Sequence, residues 1–324
     1  MDILAAGEPL LEFNTSTDAP GPVGAGTSFT VGHGGDTSNF CVAARRSGAD
    51  TGYITRIGDD DFGASFLRLW EREGIATEHV VREPGGRTGI YFIARTPTES
   101  SFTYYRARSP ASRLAPADMP AGAIARARLL HLSGITQAIS TSACDAAFHA
   151  MRLARDNGTL VSYDPNIRPA LWPAERARAV AWRSVELCDI ALPNLDEGRL
   201  LTGLHDPDEV LAEFVRRGPS VVVLKMGDRG ALLAHDGAVT RIAPHPVDPV
   251  DTTGAGDTFD GAFAARLLAG ATPPEAARYA AVAAALTTTG PGAVTPIPRR
   301  EDVDAERRSQ GADRPPPSAS TPVR

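Results

Sequence analysis

The sequence predicts an α/β protein with a mostly parallel central sheet flanked by helices and a small additional β-sheet. Three observations carry that reading. From Leu129 onward, short apolar runs alternate with longer segments of helical spacing. Val221 to Leu224 is apolar without alternation, as a strand covered on both faces would be. Thr88 to Arg95 and Phe102 to Arg106 flank the turn-forming string Thr96-Pro97-Thr98-Glu99-Ser100, a hairpin that interrupts the strand and helix alternation.

In order along the chain, Ile3 to Ala6 is a strand ending at Gly7, and Pro9 to Phe13 resumes it, so the first strand leaves the core and continues outward. Asp18 to Ser28 is rich in Gly, Pro, Ala and Thr and is expected to be loop. In Gly32-His33-Gly34-Gly35-Asp36-Thr37-Ser38-Asn39, Asp36 or Thr37 is expected to cap a helix running to Arg46. Tyr53 to Ile57 reads as a strand, and Phe62, Phe66, Leu69 and Trp70 recur at helical spacing until Gly74. The regular part then reads Leu129–Leu132 strand, 140–157 helix, Leu160–Tyr163 strand, 174–187 helix, Ile190–Leu192 strand, 206–217 helix and Val221–Leu224 strand. Ligands of such sheets collect at the carboxyl ends of the strands. The polar groups Asp164 to Arg168, Asn194 to Glu197 and Lys225 to Arg229 each follow a strand and should open onto one edge. Residues 1–300 are expected to form one domain. Residues 301–324, rich in Arg, Asp, Pro and Ser, are expected to be a disordered tail.

Composition narrows the function. With 324 residues, 42% hydrophobic, 22% charged and a formal charge of -6, the chain has no electrostatic footprint for nucleic acid. No apolar run approaches the length of a membrane span, so a membrane partner is not expected. Cys41, Cys144 and Cys188 show no metal-type spacing and read as buried thiols in a reducing, cytoplasmic setting.

The chemistry centres on Asp251-Thr252-Thr253-Gly254-Ala255-Gly256-Asp257-Thr258-Phe259-Asp260-Gly261-Ala262-Phe263. Gly254 and Gly256 bracket Ala255 where a polar loop gives way to an apolar helix running to Leu268. Free N–H groups and the helix dipole make a seat for anionic oxygen there, and Asp257 sets a carboxylate base beside it. A base beside an anion seat suggests phosphoryl transfer.

That string resembles the C-terminal signature of the ribokinase-like (PfkB) carbohydrate kinases, and the resemblance covers about residues 1 to 297. It implies a ribokinase-like fold in which segments at about 8–32 and 84–112 form a β lid over the sugar. It also implies Asp257 as general base, with Gly254, Ala255 and Gly256 stabilising the transferring group. Asn194-Leu195-Asp196-Glu197 resembles the family's Asn-x-x-Glu motif, implying Mg²⁺ at Glu197 through water; on its own it reads as a capped helix start. Lys225-Met226-Gly227-Asp228-Arg229-Gly230 resembles the nucleotide-side loop, giving Asn194, Lys225, Gly227, Gly230, Gly254 and Gly256 as ATP contacts. Gly290-Pro291-Gly292 matches the region that closes over adenine, and Asp251 matches a position that holds a monovalent cation, K⁺, in many relatives.

For the acceptor, Thr88-Gly89-Ile90-Tyr91, Tyr104-Tyr105-Arg106-x-x-Ser109 and Asp164-Pro165-Asn166-x-Arg168 look most like members that phosphorylate 2-keto-3-deoxygluconate, a sugar acid. Arg106 and Arg168 are the candidates for its carboxylate, because Arg offers a planar donor fork. By position, Gly35, Tyr91, Tyr104 and Ile135 would line the sugar pocket, and a homo-oligomer is expected. The alternatives are a kinase of a ketose or of 5-dehydro-2-deoxygluconate, and a non-catalytic sugar-binding regulator.

Overall fold

The computed structural model describes residues 1–15, 23–95 and 100–309. Its strands, in chain order, are β1 Ile3–Ala6, β2 Leu10–Thr15, β3 Phe29–Gly34, β4 Thr51–Gly58, β5 Ala76–Glu83, β6 Ile90–Arg95 and β7 Ser100–Tyr105. There follow β8 Leu129–Ser133, β9 Leu160–Asp164, β10 Ile190–Ala191, β11 Val221–Lys225, β12 Ala231–His235 and β13 Ala238–Ile242. Nine of them form one sheet in the order β13-β12-β11-β10-β9-β8-β1-β4-β5. It is parallel from β5 through β11 and turns antiparallel only at β12 and β13.

Helices cover both faces of this sheet, and β1 shows how the sequence serves both. Ile3 and Ala5 belong to the core packed against helices Asp36–Arg46, Ala255–Leu268 and Pro273–Thr287. Leu4 and Ala6 belong to the opposite core, packed against Thr141–Asp156, Ala174–Val185 and Pro207–Arg216. Both sets are buried, so the strand has no polar face. Cys41, Cys144 and Cys188 are free, buried thiols, as expected.

The second sheet has four strands in the order β3-β2-β6-β7. The pairs β2–β3 and β6–β7 are antiparallel, whereas β2 and β6 run parallel. The expected hairpin is present, with Tyr91 opposite Tyr104, while its turn at 96–99 lies outside the described residues. Of the expected loop at 18–28, the first part also lies outside them.

Two expectations change. Neither Asp36 nor Thr37 caps the first helix. Gly35 is its N-cap at φ 98°, and Asp36 is its first residue. A side chain at Gly35 would place Cβ 2.4 Å from the Glu8 carbonyl oxygen, so close backbone approach reserves the position for glycine. Nor is 301–324 a tail throughout. Arg300–Ser309 is a helix whose Val303, 1% exposed, joins the core, while Glu306 pairs with His245 and Arg307 lies over the Tyr279 ring. Residues 310–324 lie outside the described residues.

Candidate active site

The carboxyl ends of β8 to β11 meet the N-termini of helices Asp36–Arg46, Leu195–Thr202 and Ala255–Leu268 around a cavity of about 1200 Å³. All the candidate residues except Asp251 line it: Gly35, Tyr91, Tyr104, Arg106, Ile135, Arg168, Asn194, Glu197, Lys225, Gly227, Gly230 and Gly254 to Asp257. Residues as distant in sequence as 35 and 257 are thereby gathered at one sheet edge.

Gly254 is the N-cap of Ala255–Leu268 at φ 79°, and an added Cβ would lie 2.7 Å from the Ala293 carbonyl oxygen. Of the first-turn amides after it, Ala255 N donates to Thr252 O at 3.3 Å, and those of Gly256 and Asp257 have no intrahelical acceptors. At Gly256 a Cβ would point to within 3.7 Å of the Lys225 ammonium, so the bare backbone leaves a space between amides and cation.

Asp257 opens into this space. Its Oδ2 accepts a 2.8 Å hydrogen bond from the Asn39 side-chain amide. Burial and the nearby Asp36 carboxylate push its pKa up to about 7, against the Asn39 hydrogen bond and Lys225. A carboxylate with that affinity for a proton is suited to general-base work near neutral pH.

Lys225 ends β11 with its Nζ 2.9 Å from both Asp260 carboxylate oxygens and 3.2 Å from Asp164 Oδ2. Burial works against its charge, but Asp164 and Asp260 outweigh burial and hold its pKa above the ordinary lysine value. The three contacts match the three donors of an ammonium, so in this arrangement Lys225 acts on the cavity mainly as fixed charge.

Glu197 is both a capping residue and a cavity residue. Its Oε2 accepts from Asn194 N at 3.1 Å, while Asn194 Oδ1 accepts from Glu197 N at 2.9 Å. Its Oε1 accepts from Ile167 N at 3.1 Å and lies 3.8 Å from Arg168 Nη1. Burial, then Asp164, push its pKa up to about 7. Among the described residues no group of three or more His, Cys, Asp or Glu is arranged to hold a metal ion. Glu197 retains lone pairs for a water, which suits Mg²⁺, an ion that keeps much of its hydration and binds through few carboxylates.

Asp251 stands apart, buried behind the loop. Its Oδ1 accepts from Thr253 N at 3.0 Å and Thr253 Oγ1 at 2.7 Å, and its Oδ2 from Gly292 N at 2.9 Å. It thus ties the glycine loop to the 290–292 segment.

At the small sheet, the Arg106 guanidinium is paired with Glu8, and the Tyr91 hydroxyl donates to Glu12. Tyr91 and Tyr104 stack at 5.5 Å between centroids, and Arg106 lies 5.7 Å from the centre of the Tyr104 ring. Arg168 is the more open of the two arginines, its side chain 49% exposed against 11% for Arg106. Glu8, Asn39 and Asp260 escaped the sequence reading as site residues. A glutamate beside the apolar end of a first strand is the one local signal that could have singled out Glu8.

A helix N-terminus open to the cavity, beside a carboxylate of raised pKa and a fixed ammonium, is an arrangement suited to phosphoryl transfer. The pfkB family carbohydrate kinase profile matches residues 2–300. The chain belongs to that family and is a carbohydrate kinase with the ribokinase-like fold. It is 35% identical over 309 residues to 2-dehydro-3-deoxygluconokinase of Thermoproteus tenax, covering 93% of each chain. It is 31% identical to the enzyme of the same name from Bacillus subtilis strain 168, covering 85% of this chain and 86% of that one. A PfkB protein from Polaromonas sp. JS666 superposes with a TM-score of 0.86 at 32% identity, covering 94% of this chain and 99% of the other. Fructokinase from Vibrio cholerae O395, solved with fructose, ADP and calcium ion, superposes with a TM-score of 0.83 at 26% identity, covering 94% and 98%. Among the described residues no helix is long and apolar enough to cross a membrane.

Proposed function

We propose that the enzyme transfers the γ-phosphoryl group of ATP to the terminal 6-hydroxyl of 2-keto-3-deoxygluconate. The observation that carries this reading is a guanidinium, Arg106, on the acceptor side of the same cavity that holds Asp257. The names of the two relatives in T. tenax and B. subtilis support it. Arg106 and Arg168 hold the substrate carboxylate, and Gly35, Tyr91, Tyr104 and Ile135 shape the pocket. Asp257 takes the hydroxyl proton while the amides of Gly254 to Gly256 stabilise the transferring group. Asn194, Lys225, Gly227 and Gly230 line the nucleotide side.

Glu197 would hold Mg²⁺ through water, and the ion would supply charge neutralisation of the phosphates. The nucleotide and divalent ion in the Vibrio fructokinase favour this use of the site. A monovalent cation near Asp251 fits less fully. Three donors already fill most of that carboxylate's roughly four acceptor positions, so backbone carbonyls would supply most ligands. The small sheet serves as the lid that excludes water, and the enzyme acts as a homo-oligomer.

A kinase of a neutral ketose is the second reading, favoured by the Arg106–Glu8 pair, which an uncharged sugar would leave undisturbed. A panel of sugars and sugar acids assayed with ATP and Mg²⁺ decides between them. Higher kcat/KM for fructose than for 2-keto-3-deoxygluconate would overturn the first reading.

A further inference from the structure

Arg106 is held before any substrate arrives. Its guanidinium lies against the Glu8 carboxylate, with the two side chains 11% and 1% exposed. The other Glu8 oxygen accepts the Ser109 hydroxyl at 2.5 Å. Ser109 in turn caps the short 3₁₀ turn Pro110–Arg113 through Ser112 N. Glu8 sits in the connection from β1 to β2, whereas Arg106 and Ser109 sit in the connection leaving β7. One buried carboxylate therefore ties together two of the crossings between the two sheets. Nε and Nη2 of Arg106 are sealed from solvent, Nε with no hydrogen-bond partner among the described residues and Nη2 with its ion-pair contact to Glu8, while the residue itself lines the cavity. The Tyr104 ring bounds the guanidinium elsewhere.

We propose that Glu8 is a positioning residue that holds one edge of the Arg106 guanidinium so that its remaining donors face the carboxylate of an acidic substrate. The proposal rests on the acidic-substrate reading given above. A guanidinium offers five donors in a rigid planar fork, so fixing one edge fixes the direction of the others. Holding it in advance also removes the ordering cost that a free arginine would incur on binding. Burial raises the Glu8 pKa, but Arg106 and Ser109 oppose that effect, as expected for a carboxylate retained for its partners. The rival role is charge cancellation, in which Glu8 weakens Arg106 toward acids.

Position and charge are separated by Glu8→Asp, which keeps the charge but withdraws it by one methylene, and Glu8→Gln, which keeps the length and an oxygen acceptor. KM for 2-keto-3-deoxygluconate and for ATP is measured for both, with Arg106→Ala and Glu8→Asp/Arg106→Ala completing a double-mutant cycle. Glu8→Asp should raise KM for the acid about tenfold, the scale of a charged hydrogen bond, with KM for ATP unchanged. Glu8→Gln should stay within about threefold of wild type, since it still accepts from Arg106. The double variant should be no worse than Arg106→Ala alone. An unchanged acid KM in Glu8→Asp, parallel rises in both KM values, or a lower acid KM in Glu8→Gln would overturn the role. If Glu8→Asp does not fold, Glu8→Gln decides alone, because an acid KM below wild type or raised together with that for ATP defeats the proposal. Wild-type enzyme inert toward the acid defeats the substrate reading and this role together; active wild type with unaltered Glu8→Asp defeats this role only.

Discussion

Asn39 and Asp257, 218 residues apart, are joined by a 2.8 Å hydrogen bond that links the first helix to the helix carrying the proposed base. The bond stabilises the ionised carboxylate and opposes burial and Asp36, which push the pKa up to about 7. Removing the amide with Asn39→Ala should move the acidic limb of the kcat profile upward by on the order of one pH unit. An unmoved limb would show that Asn39 does not tune the base.

Asp257 must be ionised to accept a proton, so turnover should fall as pH drops through about 7. Asp257→Asn should lower kcat by roughly 10²- to 10⁴-fold while leaving sugar and nucleotide binding, read by calorimetry, nearly intact. The stability sign is opposite. A carboxyl group whose folded pKa lies above its ordinary 3.8 binds protons more tightly when folded, so its contribution favours folding increasingly as pH falls from about 7 toward 4. Asp257→Asn should therefore melt higher than wild type at pH 8, where the native carboxylate is charged, and thermal melts across pH would check this.

Gly254→Ala meets two obstacles at once, a φ of 79° and the Ala293 carbonyl oxygen 2.7 Å from the new Cβ. Destabilisation of about 1–3 kcal/mol is expected from backbone strain, together with loss of phosphoryl transfer as the loop shifts. Denaturant unfolding and the ATP-coupled assay would register the two effects separately.

Arg106→Ala and Arg168→Ala should differ. Arg106 is enclosed, so its loss should raise KM for an acidic sugar by about ten- to hundredfold with little effect on a neutral one. Arg168 is half exposed and 3.8 Å from Glu197, so its removal should cost only about three- to fivefold in KM. Equal effects on acidic and neutral substrates would leave Arg106 with a structural part only.

Lys225→Met leaves Asp164 and Asp260 facing each other without their shared cation. A loss of about 3–5 kcal/mol is expected, as for breaking a buried pair from one side. Lys225→Met/Asp260→Leu removes charge from both sides and should recover much of that stability in denaturant titrations, while remaining impaired with ATP.

The anion seat was legible because its parts are adjacent in sequence: Gly254, Gly256 and Asp257 declare a turn, an exposed helix start and a base within four residues. The alternation after Leu129 was equally legible, since each face of the sheet needs its own apolar residues. Partnerships closed by folding were not. Glu8 meets Ser109 across 101 residues, and Lys225 meets Asp260 across 35, with no local pattern to announce either. The cap at Gly35 was hidden for another reason: its positive φ answers to the Glu8–Leu10 backbone pressing against it, a tertiary contact. The helix Arg300–Ser309 was misread because Val303 is its one core residue, and its other contacts, Glu306 with His245 and Arg307 with Tyr279, are tertiary.

The chain passes between the two sheets at four places: residues 7–9, at Gly35, residues 84–89 and residues 106–109. None of these straps is long, and Glu8 fastens the first to the last. A sheet moored this way cannot swing free like a flap on a single thread.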